Sequence, residues 1–441
     1  MYQKIIENVI YPMSDKLLGL SINRDLKKNK HLQWLEWEEV NSIQNKKLYK
    51  ILNHCNKNIP YYQKIFQKHS FDINGDIYQE LKKIPFLTKH IIRKHLPNGL
   101  IDKKRKIYTI EKTSGSTGEQ GVFYLDDHAF SKIIAAQTLF WEWAGYRFGK
   151  RTLQTGINPE RGLKKYLKDR LLLIKYADAF KIDEGIIKNT LEPFRNKKNI
   201  HFIGYPSSIY SYALFAKKLG IKDISFDSVI SLGDKMFSNY RYLIEKIFNT
   251  KVFDTYGAAE GLMIAGECHF HKYHILSSHV YIEIVDEDGN PVPDGTLGQV
   301  VVTSLDNYLM PLIRYKVGDL AIKSRIQSCN CGRHLQILDK IIGRETDILY
   351  TPKSKILIVH FFTGIFEHFP EIQQFQIIQK NKGESIQIKY IKGVNFSKDI
   401  LEDIKNKIFK RAEESFPITF DEVSKIKSSP SGKPQIIVRE Y

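Results

Sequence analysis

The chain has 441 residues, 42% hydrophobic and 26% charged, enough for a sizeable core and for one large domain beside a smaller one. Aromatic residues at 12% argue against extensive disorder, and the formal charge of +18 comes from lysines scattered along the whole chain rather than gathered in one arm. Four cysteines are too few for a secreted disulfide framework at this length. The first twenty residues carry polar groups through their apolar stretch without a cleavage site, and no run approaches the ~18 apolar residues of a spanning helix. A reducing, cytoplasmic setting without a transmembrane segment is expected.

In chain order, residues 1–60 show helical spacing, as in Leu32, Leu35, Val40 and Ile43, and predict two helices ending near Asn58 before the turn-like Ile59-Pro60. Residues 105–112 alternate and predict a strand, and 121–125 predict another. Between them lies Thr113-Ser114-Gly115-Ser116-Thr117-Gly118. Backbone N–H groups of such a loop can converge on phosphate oxygens, with the hydroxyls as further donors. No Gly-Lys-Ser/Thr follows, so this is not a Walker A loop, and an ordinary Ser/Gly hairpin remains the alternative.

From 128 to 250, helical stretches alternate with short apolar strands at 151–156, 200–204 and 228–232, which favours an α/β layered core. A strand is predicted at 251–254, followed by Tyr256-Gly257-Ala258-Ala259-Glu260. Tyrosine offers a flat face to a base, and glutamate a hard oxygen ligand to Mg²⁺. The pattern is β from 275 to 323. After Gly343 it changes to strands near 374–379 and 385–392, a helix near 397–415, and strands near 418–423 and 435–439. A boundary is therefore predicted between residues 1–343 and 344–441. Arg314-Tyr315, Gly318-Asp319, Gly343-Arg344 and Ser428-Ser429-Pro430-Ser431-Gly432-Lys433 complete a series whose members are individually weak. Singly, Asp319 reads as a turn residue, Glu260 as a helix N-terminal charge and Lys433 as a surface cation.

In order and spacing this series resembles the adenylate-forming superfamily, within it the phenylacetate–CoA ligase-like branch that includes the CapK proteins of capsule biosynthesis. LQWLEWEEVNSI, NIPYYQKIF, KKIPFLTKHIIR, GYPSSIYSYA and MPLIRYKVGDLA extend the likeness over nearly the whole chain. The resemblance implies an α/β fold with a large multi-layered N-terminal adenylation domain and a small α+β C-terminal lid. It implies activation of a small-molecule carboxylic acid by ATP with Mg²⁺, giving an acyl-adenylate and pyrophosphate. The acyl group would pass to CoA, a carrier-protein thiol, or an amine on a sugar or amino acid.

By matching position, Thr113, Ser114, Gly115, Ser116, Thr117 and Gly118 would hold the β,γ-phosphates. Tyr256 and Gly257, with Gly233 and Asp234, would line the adenine pocket, and Glu260 would coordinate Mg²⁺. Asp319 would take the ribose hydroxyls, Arg344 would lie near ribose or phosphates, and Lys433 would neutralise charge on the α-phosphate and the attacking carboxylate. Asp234 stands where the branch usually carries Glu, Gln120 where it often has Pro, and the segment after Arg344 lacks the usual Gly, so adenylation is better founded than thioester formation. A scaffold protein with a decayed adenylation fold is the competing reading, against which Glu260, Asp319 and Lys433 together argue. Nucleic-acid binding has only net charge behind it.

Cys268, followed by His269, His271 and His274, precedes Cys329-Asn330-Cys331. Thiolates and imidazoles suit tetrahedral Zn²⁺. The branch resemblance selects Cys268, His274, Cys329 and Cys331 as a structural zinc site. The acid is not readable from sequence; Trp141, Trp143, Tyr205 and Tyr210 read as core aromatics, with an acid pocket as the alternative.

Overall fold

The computed structural model describes residues 2–112, 121–156, 162–179, 184–344, 348–366, 368–369, 371–393, 395–426 and 435–441. Residues 113–118, expected to hold phosphates, and Lys433 lie outside the described residues, as do 345–347 just after the predicted boundary.

The first seven helices are α1 (Tyr2–Ile5), α2 (Tyr11–Leu17), α3 (Ile22–Leu32), α4 (Trp37–Asn58), α5 (Pro60–Lys68), α6 (Ile77–Lys83) and α7 (Lys89–His95), with a π-helical turn joining α1 to α2. The two-helix expectation for residues 1–60 is thus corrected. Pro60 does not end the helical region but starts α5 at its first turn, where a missing N–H costs nothing. Asp76 and Thr88 cap α6 and α7 by accepting from the amides of Tyr78 and Ile91.

A hairpin follows, β1 (Thr109–Lys112) with β2 (Val122–Leu125), shorter at its start than the predicted 105–112. Next come α8 (Asp127–Trp143), β3 (Arg151–Gly156), α9 (Leu163–Leu171), β4 (Ile174–Asp178), α10 (Glu184–Leu191), β5 (Ile200–Gly204), α11 (Pro206–Lys218), β6 (Ser228–Leu232), α12 (Ser238–Phe248) and β7 (Val252–Ala258). The strands β4, β3, β5, β6 and β7 pair in parallel in that order. β5, IHFIG, is buried along its whole length, as a parallel strand covered on both faces must be. Its core partners include Ile209, Tyr212, Phe226 and Phe248 from the covering helices and loops.

The sheet then turns antiparallel through β8 (Leu262–Glu267) and β9 (Tyr273–Ile275), and continues in β10 (Val280–Val285), β11 (Leu297–Ser304), β12 (Tyr315–Lys323) and β13 (Ile337–Arg344). The eleven-stranded order is β10-β11-β12-β13-β9-β8-β7-β6-β5-β3-β4.

The chain divides into two compact units, the second holding 341–441 together with Gly318–Ala321. Within that unit a hairpin, β14 (Ile348–Tyr350) and β15 (Ile356–Ile358), leads into α13 (Val359–Phe366). A mixed four-stranded sheet follows in the order β18-β17-β16-β19, from β16 (Ile372–Gln379), β17 (Ile386–Lys392), β18 (Ile418–Glu422) and β19 (Ile437–Arg439). Helix α14 (Asp399–Ala412) buries Ile404, Ile408 and Ala412. Gln379 is fully buried; its amide donates to the Tyr350 carbonyl at 2.8 Å and accepts from the Tyr350 amide at 3.2 Å, tying hairpin to sheet.

In the first unit, α4 and α5 are clamped to the start of β10 and to the segment between β11 and β12. The Gln44 amide donates to the Val280 carbonyl at 2.9 Å, and the Tyr62 hydroxyl donates to the Pro311 carbonyl at 2.9 Å. Asp306 is buried between Lys47 Nζ at 2.7 Å and His279 Nδ1 at 2.8 Å. Burial alone would raise its carboxyl, but Lys47 and the His279 bond outweigh it and hold it well below the usual carboxylate range. A depressed folded-state value contributes stability that is present above the unfolded value near pH 4 and lost as the pH falls below it. Asp306→Asn should therefore lower stability by about 3–5 kcal/mol at neutral pH, since it leaves the partly buried Lys47 ammonium without its counter-charge and the buried His279 ring without its carboxylate partner. Denaturant unfolding of both proteins should show that deficit shrinking below about pH 4; a deficit independent of pH would remove the ion pair from the account.

Candidate active site and metal cluster

The parallel strands β3, β5, β6 and β7 all point their carboxyl ends toward one edge. From β3 the chain runs outward to β4 and returns on the other side as β5, and α/β sheets bind ligands outside the carboxyl ends of their strands, near such a reversal of strand order. The predicted nucleotide residues of the first unit stand on this edge. Leu232 pairs with Thr255, so Gly233 follows β6 just where Tyr256 continues β7. Tyr256 is therefore on the strand itself, not after it: β7 extends through Ala258, past the predicted end at 254, and a register shift at Tyr256/Gly257 offsets the two residues.

Gly233 adopts φ +72°, and a Cβ there would meet Tyr205 Cε1 at 2.8 Å. The Tyr205 ring thus packs against bare backbone, which only glycine allows. Asp234 accepts from Ser207 Oγ at 3.0 Å and from the Lys235 amide at 2.8 Å, so its carboxylate is held locally at the head of α11. Tyr210 stacks on Tyr240 at 4.0 Å.

Glu260 sits in the turn between β7 and β8, not at a helix N-terminus, and is 4% exposed. Its Oε1 accepts from the Tyr315 hydroxyl at 2.8 Å and lies 3.2 Å from Lys89 Nζ. A buried carboxylate needs a cation or several donors to stay charged, and Lys89 with Tyr315 supplies both. Four lone-pair positions leave room for a hard cation on the same group, so Glu260 fits Mg²⁺ as a single carboxylate ligand completed by phosphate and water oxygens. Sequence reasoning quoted the segments of Lys89 and Tyr315 but assigned neither a role. The backbone supplies the reason: Leu87 bridges in parallel to Tyr315, and the Lys316 amide donates to the Leu87 carbonyl at 3.0 Å. Arg314, at φ +50°, is a structural tie, paired with Glu283 at 3.0 Å and donating to the carbonyls of Lys82 and Ile84.

Asp319 lies on β12 and Arg344 at the end of β13, both in the second unit.

In the first unit, Cys268 after β8, His274 on β9, and Cys329 and Cys331 in the loop before β13 bring one ligand atom each within 4.8 Å of one another. The Cys268 and Cys329 sulfurs are 3.8 Å apart, and Cys331 Sγ is 3.3 Å from His274 Nε2. His269 and His271 are exposed in the β8–β9 turn, and His271 turns instead to Arg241 and Glu267. Burial, with Arg333 beside it, lowers His274 to about 4, so it is a neutral imidazole with a free lone pair, the form that ligates metal. Burial would raise Cys331, but the Arg333 backbone and guanidinium outweigh it and favour thiolate. Four converging S and N donors on three short segments fit tetrahedral Zn²⁺ with no open position.

The Arg333 guanidinium lies over Trp143 at 4.4 Å and Trp34 at 4.9 Å, while Gln33 Oε1 accepts from Arg333 Nε and Trp143 Nε1. Trp143 thus belongs to the surroundings of the cluster, and no spacing in the sequence pointed there.

Gly233→Ala should cost about 1–2 kcal/mol, because a Cβ at positive φ is strained and must displace the Tyr205 ring. The denaturant midpoint and the near-ultraviolet tyrosine signal read both effects; an unchanged midpoint would show that the close approach is not required.

A family model described as the CapK C-terminal domain matches residues 349–440. Protein CapK of Staphylococcus aureus is 24% identical over 91% of this chain and 90% of its own length. The phenylacetate-coenzyme A ligase of Thermus thermophilus is 23% identical over 80% of this chain and 81% of its own. Among solved structures, 2-hydroxyisobutyryl-CoA ligase in the postadenylation state superposes with TM-score 0.73 at 16% identity, covering 93% of this chain and 91% of that one. The amide bond synthetase McbA from Marinactinospora thermotolerans superposes with TM-score 0.53 at 16% identity, over 74% of this chain and 68% of that one. These likenesses support the adenylate-forming superfamily, and within it the phenylacetate–CoA ligase-like and CapK-like branch, as what this chain resembles.

Proposed function

We propose that this chain activates a carboxylic acid with ATP. A carboxylate oxygen attacks the α-phosphorus, the bond to the pyrophosphate oxygen breaks, and acyl-AMP and pyrophosphate form. The acyl carbon then passes to a thiol or amine nucleophile, and AMP leaves with the carboxylate oxygen. The observation that carries this reading is Glu260: a buried carboxylate, four residues beyond Tyr256 on the ligand edge of the parallel strands, already neutralised by Lys89. Such a group is costly to bury unless a cation works there.

In this reading Tyr256, Gly257, Gly233 and Asp234 receive the adenine, and Asp319 accepts from the ribose hydroxyls. The loop of residues 113–118 and Arg344 hold phosphate oxygens. Mg²⁺ on Glu260 would shield the phosphate charges. Lys433 stabilises the charge that builds on the α-phosphoryl group as the carboxylate arrives. The second unit, taken as 344–441, is the lid that delivers Lys433. A role in capsule or surface-polysaccharide assembly rests on the name of the Staphylococcus aureus relative, and an amine acceptor on the likeness to an amide bond synthetase as well.

Acid-dependent exchange of labelled pyrophosphate into ATP, run over aryl, fatty, amino and sugar-derived acids, tests the first half-reaction. The wild type should exchange with at least one class. Lys433→Ala should lose about a hundredfold or more in exchange with ATP affinity little changed, the loss of a charge positioned for the transition state. Exchange at the wild-type rate in that variant would remove Lys433 from the mechanism.

The Cys/His cluster is proposed to hold one structural Zn²⁺. Its loss should act on folding before chemistry, because the metal joins β8, β9 and the loop before β13. Purified protein should contain about one zinc per chain, and the double substitution Cys329→Ser/Cys331→Ser should lose it and unfold at lower temperature. Zinc-free wild type of full thermal stability would contradict the assignment.

A further inference from the structure

The N-terminal helices pack one face and leave the other open. Ile6 is fully buried and Ile10 and Tyr11 lean on the core, while Ile5, Val9, Met13 and Leu17 recur on the opposite side and are exposed, Met13 at 59% and Leu17 at 84%. A second apolar face lies beside them. On α9, Leu163, Tyr166 and Leu167 follow helical spacing at 73%, 54% and 55% exposure. The two faces adjoin, because the Tyr2 hydroxyl donates to the Leu171 carbonyl at 2.7 Å. Single exposed leucines are ordinary; two abutting helices that both present their apolar stripe outward are not.

Cations accompany this surface. Lys4 and Lys16 are exposed on the N-terminal helices, as are Lys165 and Arg170 on α9, within a chain of net charge +18. Apolar residues on one face, tyrosines among them and lysine and arginine alongside, describe a helix lying in the plane of a lipid interface. No helix among the described residues is long and apolar enough to cross a membrane, so the apolar residues could only be taken up sideways. A second copy is a poor occupant: two-fold pairing of this face on itself would bring the same cations together.

We propose that α1, α2 and α9 form a docking surface for an anionic lipid bilayer, on which the protein rests peripherally. The apolar stripe enters the acyl boundary, and the flanking cations meet lipid phosphates.

Co-sedimentation of the full chain with vesicles tests this. The wild type should pellet with phosphatidylcholine vesicles containing phosphatidylglycerol, and much less with phosphatidylcholine alone. Raising the salt should weaken the binding, since the cations act through screened charge. Val9→Glu/Met13→Glu/Leu167→Glu should lower the bound fraction about tenfold or more. Lys165→Glu/Arg170→Glu should remove the preference for phosphatidylglycerol. The thermal midpoint of both variants should match the wild type, because every changed side chain is exposed. Wild type that stays in the supernatant with anionic vesicles at low salt overturns the proposal. So does binding that survives the three glutamates. If instead the glutamates convert a dimer to a monomer in sedimentation velocity and the wild type ignores vesicles, the face belongs to a second copy and the proposal fails.

Discussion

A carboxylate with 4% exposure must keep a cation beside it or give up its charge, and the first unit is organised around that requirement at Glu260. Three segments distant in sequence meet there: the β7–β8 turn brings the acid, α7 brings Lys89, and β12 brings Tyr315. The parallel bridge between Leu87 and Tyr315 fixes the two donors relative to each other, and the Thr88 cap sets the first turn from which Lys89 projects. The Glu260 carboxylate is thus oriented by two partners before any ligand is present.

The ground beneath this edge is also polar and fully engaged. Asp254, below Tyr256 on β7, accepts from Ser231 Oγ and from the Tyr273 hydroxyl at 2.6 Å. Burial and the neighbouring Glu267 push its carboxyl up to about 6. Glu267 in turn accepts on both carboxylate oxygens from the single Arg241 Nη2, at 2.9 and 2.8 Å, and accepts from the Asp254 amide at 2.9 Å. Glu267 precedes Cys268 and Tyr273 precedes His274, so the network under the carboxyl edge of the parallel strands and the Cys/His cluster share the same hairpin. A metal staple there would hold β8 and β9, and through them the strand that carries Tyr256.

Strands β3, β5 and β6 were legible in the sequence at their true bounds: β5 and β6 read as short, buried, mostly apolar runs, and all three stop at a glycine, the last residue of β3 and β5 and the one after β6. Most of the second unit was legible too, where alternation and helical spacing are clean. The strands β8, β9, β12 and β13 were not separately readable. MPLIRYKVGDLA neither alternates nor runs apolar, and Gly318 sits in it at φ +87°. For the site, identity came from order along the chain: Tyr256, Glu260 and Asp319 carry a pattern that a reader can match. Choosing His274 over His269 and His271 also rested on that pattern, and the geometry now gives a cause in the exposed turn. What could not be read is contact across long separations. Lys89 and Glu260, or Arg333 between Trp34 and Trp143, are neighbours only because the sheet and helices close on them.

The central claim is that the acid's own oxygen attacks the α-phosphorus. Running the complete reaction with a competent acid whose carboxylate carries heavy oxygen, and weighing the nucleotide product, tests it most directly. The account predicts AMP that has gained one labelled oxygen, with unlabelled pyrophosphate. Label appearing in inorganic phosphate beside ADP, or AMP formed without label, would contradict it.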